Sequence, residues 1–236
     1  MPTSKLHTRR GFVRLAAGLA ASLSPALALA ARETTPGQMV GPYYPQDDQL
    51  ALRPGAWQDN DLTVVPGGVA SAAGRRMELG GQVRGTNGEP LRGATVEIWQ
   101  ANAEGRYLSG KDGRSERPHD PEFQYFGTCT TGDDGRYAFR TIVPPSYPAG
   151  VIPGWVRPPH IHVAVRSEGL EPFITQVYWD DPNDPHRELH ARLQRRDLLI
   201  KNVKPRKRDR LIRPMTGDHV GRVDFPILLD ADTWLP

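Results

Sequence analysis

Apolar and polar residues alternate in a series of short runs, and the runs end at turns built from glycine, asparagine or aspartate. Residues 77–83 lead to Gly85-Thr86-Asn87-Gly88 and then to Ala94-Thr95-Val96-Glu97-Ile98-Trp99, while Asp133-Asp134-Gly135 opens Arg136-Tyr137-Ala138-Phe139-Arg140. A period of two marks a strand with one wet and one dry face, and Asn-Gly or Asp-Gly supplies the positive φ angles of a tight reversal. The reading is a hairpin over 77–99, with further strands over 136–140, 160–165, 174–179 and 220–228. Helix is scarce. Its best candidate is 185–199, where Leu189, Leu193 and Arg196 recur at helical spacing after the Asp180-Asp181-Pro182 turn. Gly 24 and Pro 23 in 236 residues fit a turn-rich β fold without reaching low complexity. The expectation is one all-β domain, a β-sandwich or partly closed barrel with long loops, large enough to bury a core and without internal repeats.

The first thirty residues have a different character. Thr8-Arg9-Arg10-Gly11-Phe12-Val13-Arg14 precedes an Ala-rich apolar stretch over 15–31 that contains Pro25, and Ala28-Leu29-Ala30 offers the small residues a signal peptidase accepts. The stretch is shorter than the ~20 residues of a spanning helix. Residues 1–30 are therefore read as a twin-arginine export signal, whose removal leaves a periplasmic or secreted protein with no stable membrane span. Residues 31–74, polar and rich in Gly and Pro, are read as an extended arm, and 75–236 as the β-sandwich domain. The formal net charge of +3 misleads, because the leader holds four cations and no acid, leaving 26 Lys+Arg against 27 Asp+Glu. A nucleic-acid partner thus loses its electrostatic basis. One basic stretch stands out at 201–213. It is read as a solvated loop, although its charge would also suit an anionic substrate, a partner or a membrane surface.

Cys129 is the sole cysteine, so a metal site would have to use His, Tyr or carboxylates. His160-Ile161-His162 lies in a strand-like run, where a spacing of two turns both imidazoles to one face. The rigid lead-in Trp155-Val156-Arg157-Pro158-Pro159 would aim Arg157 from the same short segment. His119, His186, His190 and His219 sit in polar surroundings and read as solvated surface residues. Tyr147, held extended in Pro144-Pro145-Ser146-Tyr147-Pro148, and Tyr107, after the turn Asn102-Ala103-Glu104-Gly105-Arg106, are phenols of another kind. Each alone fits a tyrosine at the edge of a core, as a lone His-x-His fits an ordinary hydrogen-bonded pair.

Together these residues resemble a family. Tyr107, Pro145-Ser146-Tyr147-Pro148, Arg157, His160-Ile161-His162 and Thr175-Gln176-Val177-Tyr178, with Gly41-Pro42-Tyr43-Tyr44-Pro45 and Val96-Glu97-Ile98-Trp99-Gln100-Ala101-Asn102, are similar to the intradiol ring-cleavage dioxygenases, above all their protocatechuate 3,4-dioxygenase β chains. The resemblance implies a mononuclear non-haem Fe(III) bound by Tyr107, Tyr147, His160 and His162. It implies that Tyr147 takes a substrate proton, that Arg157 stabilises negative charge on the ring and that Gln176 orients the reactants. The reaction it implies opens a catechol between its two hydroxylated carbons with O2, giving a cis,cis-muconate-type diacid. Ferric iron suits phenolates, because a hard, highly charged cation lowers the pKa of a bound phenol.

The helical amino-terminal segment of the catechol 1,2-dioxygenases is missing here, and the protocatechuate enzymes pair two related chains in the cytoplasm. The expectation is thus a self-sufficient exported enzyme, with homo-oligomerisation open. Two other readings compete. A transthyretin-like β-sandwich binding module would explain 80–96 and Gly135-Arg136-Tyr137-Ala138-Phe139 but not the tyrosines and histidines. A zinc hydrolase would use His160, His162 and a third histidine.

Overall fold

The computed structural model describes residues 33–51, 55, 59–150 and 152–230; the proposed leader lies outside them. The chain runs through α1 (Asp47–Leu50), β1 (Arg76–Gly85), β2 (Thr95–Trp99), β3 (Phe126–Thr130), β4 (Arg136–Ile142), β5 (Tyr147–Pro148), β6 (Val156–Arg157), β7 (Ile161–Arg166) and β8 (Phe173–Asp180). It continues through α2 (Arg187–Arg196), α3 (Leu198–Lys201), a 3-10 turn (Pro205–Arg210), β9 (Ile212–Thr216), β10 (Gly221–Asp224) and β11 (Ile227–Leu229). Strand is the main regular structure of the described residues, and among them no helix is long and apolar enough to cross a membrane.

One sheet dominates. Its order is β11-β1-β10-β9-β8-β7-β2-β3, with β4 antiparallel to β1 and a separate β5-β6 ribbon. It curls into a nearly closed, barrel-like sandwich in which β3 and β4 meet. A stretch without period-two patterning stitches that seam: Thr128 N–H donates to the Asp59 carbonyl (2.9 Å), Arg140 N–H to the Asn60 carbonyl (2.9 Å), and Leu62 N–H to the Arg140 carbonyl (2.8 Å). Gly127 makes room for it, since a Cβ there would stand 2.6 Å from Leu62 Cδ1 and 2.8 Å from the Asp59 carbonyl oxygen.

Alternation explains the layers. Leu79, Val96, Ile98, Phe139, Ile161, Val163 and Val177 point inward to the main core. The opposite face of β2 and β7 is also buried, beneath a second cluster of Tyr43, Trp99, Ala101, Tyr107, Phe126, Tyr147 and Ala164. Burial on both faces of β7 leaves His162 enclosed beside Ala164 on the face it turns toward that second cluster.

Four expectations need correction. Strands 77–83 and 94–99 are not a hairpin, because β1 pairs with β4, β10 and β11, whereas β2 pairs with β3 and β7. The turn does fold back, with Leu91 N–H donating to the Val83 carbonyl at 2.9 Å. Pro90 has no N–H to extend that ladder, and Gly93 at φ +72° turns the chain away toward the other layer. The helix over 185–199 is broken at Asp197, whose backbone is extended (ψ 128°). Its carboxylate accepts from Leu199 N–H and Ile200 N–H, so it stops α2 and caps α3. The strand over 220–228 is two strands parted by Phe225-Pro226, and 201–213 is not a plain loop but α3, the 3-10 turn and the start of β9.

Candidate metal centre

Tyr107 leaves β2 through a tight loop. Asn102 Oδ1 accepts from Glu104 N–H (3.1 Å) and Arg106 N–H (2.9 Å), and Gly105 takes φ +77°. The Tyr107 N–H then donates to Asp112 Oδ2 (2.8 Å), and Asp112 is fixed by ion pairing with Arg114. Tyr147 stands on the β5-β6 ribbon, directly opposite Arg157. From Arg157, Pro158-Pro159 carries the chain straight into His160 and β7. In the sheet His162 lies between Trp99 of β2 and Gln176 of β8. Trp99 stacks on its ring at 4.8 Å between centroids, 14° from parallel.

Residues distant in sequence thereby meet at one buried point. Tyr107 Oη and Tyr147 Oη are 3.2 Å apart, and His160 Nε2 lies 3.1 Å from Tyr147 Oη and 3.4 Å from Tyr107 Oη. The His162 ring centroid is 5.0 Å from that of His160 and 6.0 Å from that of Tyr107. All four side chains are buried. Donor atoms at ~2.1 Å from a metal, spread over ligand angles of 90–110°, sit about 3.0–3.4 Å from each other, and the observed triangle of two oxygens and a nitrogen has these edges.

The chemistry of the donors agrees. His160 Nδ1 donates to the Pro158 carbonyl (2.7 Å), which leaves the Nε2 lone pair facing the phenols. Burial, then the positive charge of Arg157, keeps the pKa of both imidazoles well below the usual histidine range, so they are neutral and ready to ligate. Burial pushes the Tyr107 phenol well above its ordinary value and that of Tyr147 up to about 12. Two phenols whose ionisation burial disfavours would become phenolates around a hard, highly charged cation. His162 Nδ1 is buried with no hydrogen-bond partner among the described residues, so protein groups do not satisfy the whole site. The residues present fit a ferric ion.

Arg157 is a buried cation with fixed aim. Its Nε donates to Asp197 Oδ2 (2.8 Å), and Nη2 donates to Gln176 Oε1 (2.6 Å) and Tyr178 Oη (2.9 Å). Gln176 is held at both ends, since its Nε2 donates to the Met39 carbonyl (3.2 Å). Sequence reasoning missed Asp197 and Arg114, although Asp197 is a lone acid before Leu198-Leu199-Ile200, the pattern of a helix cap. The Arg114 guanidinium lies over the Tyr147 ring at 4.6 Å and the Tyr43 ring at 5.5 Å. His119, His186, His190 and His219 stay outside the cluster. Among the described residues no group of three or more His, Cys, Asp or Glu could hold a metal, so the zinc hydrolase lacks its third ligand.

Comparison with known proteins decides the lineage. A family model described as "Dioxygenase" matches residues 40–230. A protocatechuate 3,4-dioxygenase beta chain from Burkholderia cepacia is 36% identical over 177 residues, covering 72% of this chain and 71% of the relative.

The chain belongs to the intradiol ring-cleavage dioxygenase family.

A hydroxyquinol 1,2-dioxygenase from Rhizobium sp. (strain MTP-10005) is 35% identical over 124 residues, covering 48% of this chain and 40% of that one. The chain thus spans less than half the length of that intradiol dioxygenase relative. Among solved structures, the dioxygenase domain of a dioxygenase carbohydrate-binding protein fusion from Streptomyces sp. SirexAA-E superposes with a TM-score of 0.56 at 28% identity, covering 84% of this chain and 99% of that one. The 3-chlorocatechol 1,2-dioxygenase of Rhodococcus opacus 1CP shares the fold, with a TM-score of 0.56 at 22% identity over 86% of this intradiol dioxygenase and 75% of that chain. Intradiol dioxygenases are in general non-haem Fe(III) enzymes, and a binding module without catalysis is not favoured.

Proposed function

We propose that this chain opens a catechol-type ring between its two hydroxylated carbons with O2, giving a cis,cis-muconate-type diacid. Tyr107, Tyr147, His160 and His162 would hold the Fe(III), and Tyr147, Arg157 and Gln176 would act on the substrate. Tyr107 Oη, Tyr147 Oη and His160 Nε2, set 3.1–3.4 Å from one another, carry this reading. Likeness to the Streptomyces and Rhodococcus structures supports a sandwich of the intradiol type.

When bound, Fe(III) would supply a Lewis-acid centre that a catecholate can chelate and that favours attack of O2 on the ring. The protein supplies the rest. A catechol must shed two protons to chelate: Tyr147 would accept one at Oη, where burial favours the neutral phenol once no cation holds the oxygen, and solvent would take the other. Arg157 faces the ribbon position of Tyr147 and places a fixed positive charge beside the dianionic ring, where exclusion of water strengthens it. Gln176, locked between Arg157 and the Met39 carbonyl, orients its amide without having to reorganise. The leader over 1–30 would send the enzyme to the periplasm or beyond, and association of identical chains is part of this reading.

Oxygen uptake and product analysis on catechol, protocatechuate and hydroxyquinol test it. One O2 consumed per ring, with a muconate-type diacid as product, is the expected outcome. No turnover of any of the three by iron-loaded protein, or a yellow semialdehyde from cleavage beside the hydroxyls, would contradict it.

A further inference from the structure

The chain after residue 30 is electrically lopsided. Between positions 192 and 213 stand ten Lys and Arg against two acids, Asp197 and Asp209, a local charge of +8. The remainder of residues 31–236 carries 16 Lys and Arg against 25 acids, or −9. Asp197 does not dilute the corner, because it is buried and spent on Arg157.

The fold presents these cations on a rigid base. Ile200, Val203 and Leu211 are buried with Tyr178 of β8 in a small cluster of their own, which turns the basic residues between them outward. Arg208 ties the corner together by donating to the carbonyls of Val203 (3.0 Å) and Lys201 (3.1 Å). The side chains of Lys201 and Lys204 are exposed and pair with no other described residue.

Apolar side chains stand among the charges. Leu198 is 41% exposed and shares a face of α3 with Lys201, and Leu189, 38% exposed, shares a face of α2 with Arg192 and Arg196. Gln38 Nε2 donates to the Leu199 carbonyl (3.3 Å), which ties the arm to α3. Exposed leucines inside a ring of lysines and arginines are the pattern of a surface that rests on an anionic bilayer, where the apolar tips enter the headgroup region and the cations meet phosphates. A soluble polyanion has no use for the leucines.

The Glu33 carboxylate pairs with Arg206 (2.6 Å) in the 3-10 turn and neutralises one cation of the corner.

We propose that the corner formed by α2, α3 and the 3-10 turn is a docking face for an anionic phospholipid bilayer. This inference stands apart from the dioxygenase reading. Co-sedimentation of the full chain with vesicles tests it, in phosphatidylcholine alone and in phosphatidylcholine with phosphatidylglycerol, at low and high salt. Any contribution of the leader is common to the wild type and every variant. Reversal of Lys201, Lys204 and Lys207 to Glu should weaken binding to the anionic vesicles by roughly fivefold per cation or more. Reversal of Arg136, Arg140 and Arg222, which lie on β4 and β10 outside α2, α3 and the 3-10 turn, should leave it unchanged. High salt should release the wild type as screening shortens the reach of the charges. Leu198→Ser should lower affinity for anionic vesicles while leaving retention on heparin as it was. Equal sedimentation with both lipid compositions, equal losses for the two triple variants, or tight heparin binding without vesicle binding would each overturn the proposal. The last would make the face a site for a soluble polyanion. Thermal melting of each variant separates lost docking from lost fold.

Discussion

In the proposed mechanism Tyr147 would carry two burdens, as a donor to the metal and as a base toward substrate, whereas Tyr107 would carry only the first. Tyr147→Phe and Tyr107→Phe should both reduce iron content and bleach the visible absorption of the loaded protein, since each removes one phenolate from the charge-transfer chromophore. Metal analysis checks this directly, and undiminished iron in both variants would refute their placement as ligands. At Asp197, substitution by Ala removes the partner of a buried guanidinium and the cap of α3 together. Stability should fall by about 3–5 kcal/mol, as for a broken buried ion pair, measured by urea unfolding. Asp197→Asn keeps a capping oxygen but not the charge, so it should recover part of the stability while kcat remains low through a loosened Arg157. Equal kcat in Asp197→Asn and the wild type would show that Arg157 does not need this partner.

At the scale of elements, β7 serves two cores with alternate residues, which separates stability from function in a testable way. Ile98 of neighbouring β2 faces the main core and Trp99 faces the metal site. Ile98→Ala should cost about 2–5 kcal/mol in chemical denaturation and leave the iron content of the folded protein intact. The closure of the sheet depends on a missing side chain. Gly127→Val should force the 59–62 stretch off β3, and urea unfolding should report a loss of at least about 1–3 kcal/mol. The strand over 136–140 was legible because one dry and one wet face writes period two into the sequence. The seam was not, because it is held by backbone hydrogen bonds from Asp59, Asn60 and Leu62, which leave no side-chain pattern. The partners of β1 were misread for a related reason: a turn motif declares a local reversal, but Pro90 and Gly93 decide where the chain goes next.

For the molecule as a whole, the candidate ligands were visible because prolines frame Tyr147 and the histidines, and a period of two places both imidazoles on one face. Their supports were hidden. Asp112, Arg114, Asp197 and Tyr178 act across 5 to 40 residues of chain, through contacts no local pattern announces. The charge of the molecule was also partly concealed, since an overall balance near zero after residue 30 is the sum of a +8 corner and a −9 remainder. Such separation affects how the protein orients at charged surfaces more than how it folds.

The central claim is that two phenols and two imidazoles converge to hold ferric iron for a catechol. Its most direct test is the visible absorption spectrum of the purified, iron-analysed protein, before and after catechol is added without oxygen. The account predicts about one iron per chain, a red-brown tyrosinate-to-Fe(III) band, and a shift of that band to longer wavelength as catechol binds. A protein that remains colourless after reconstitution with iron, or whose band ignores catechol, would contradict it.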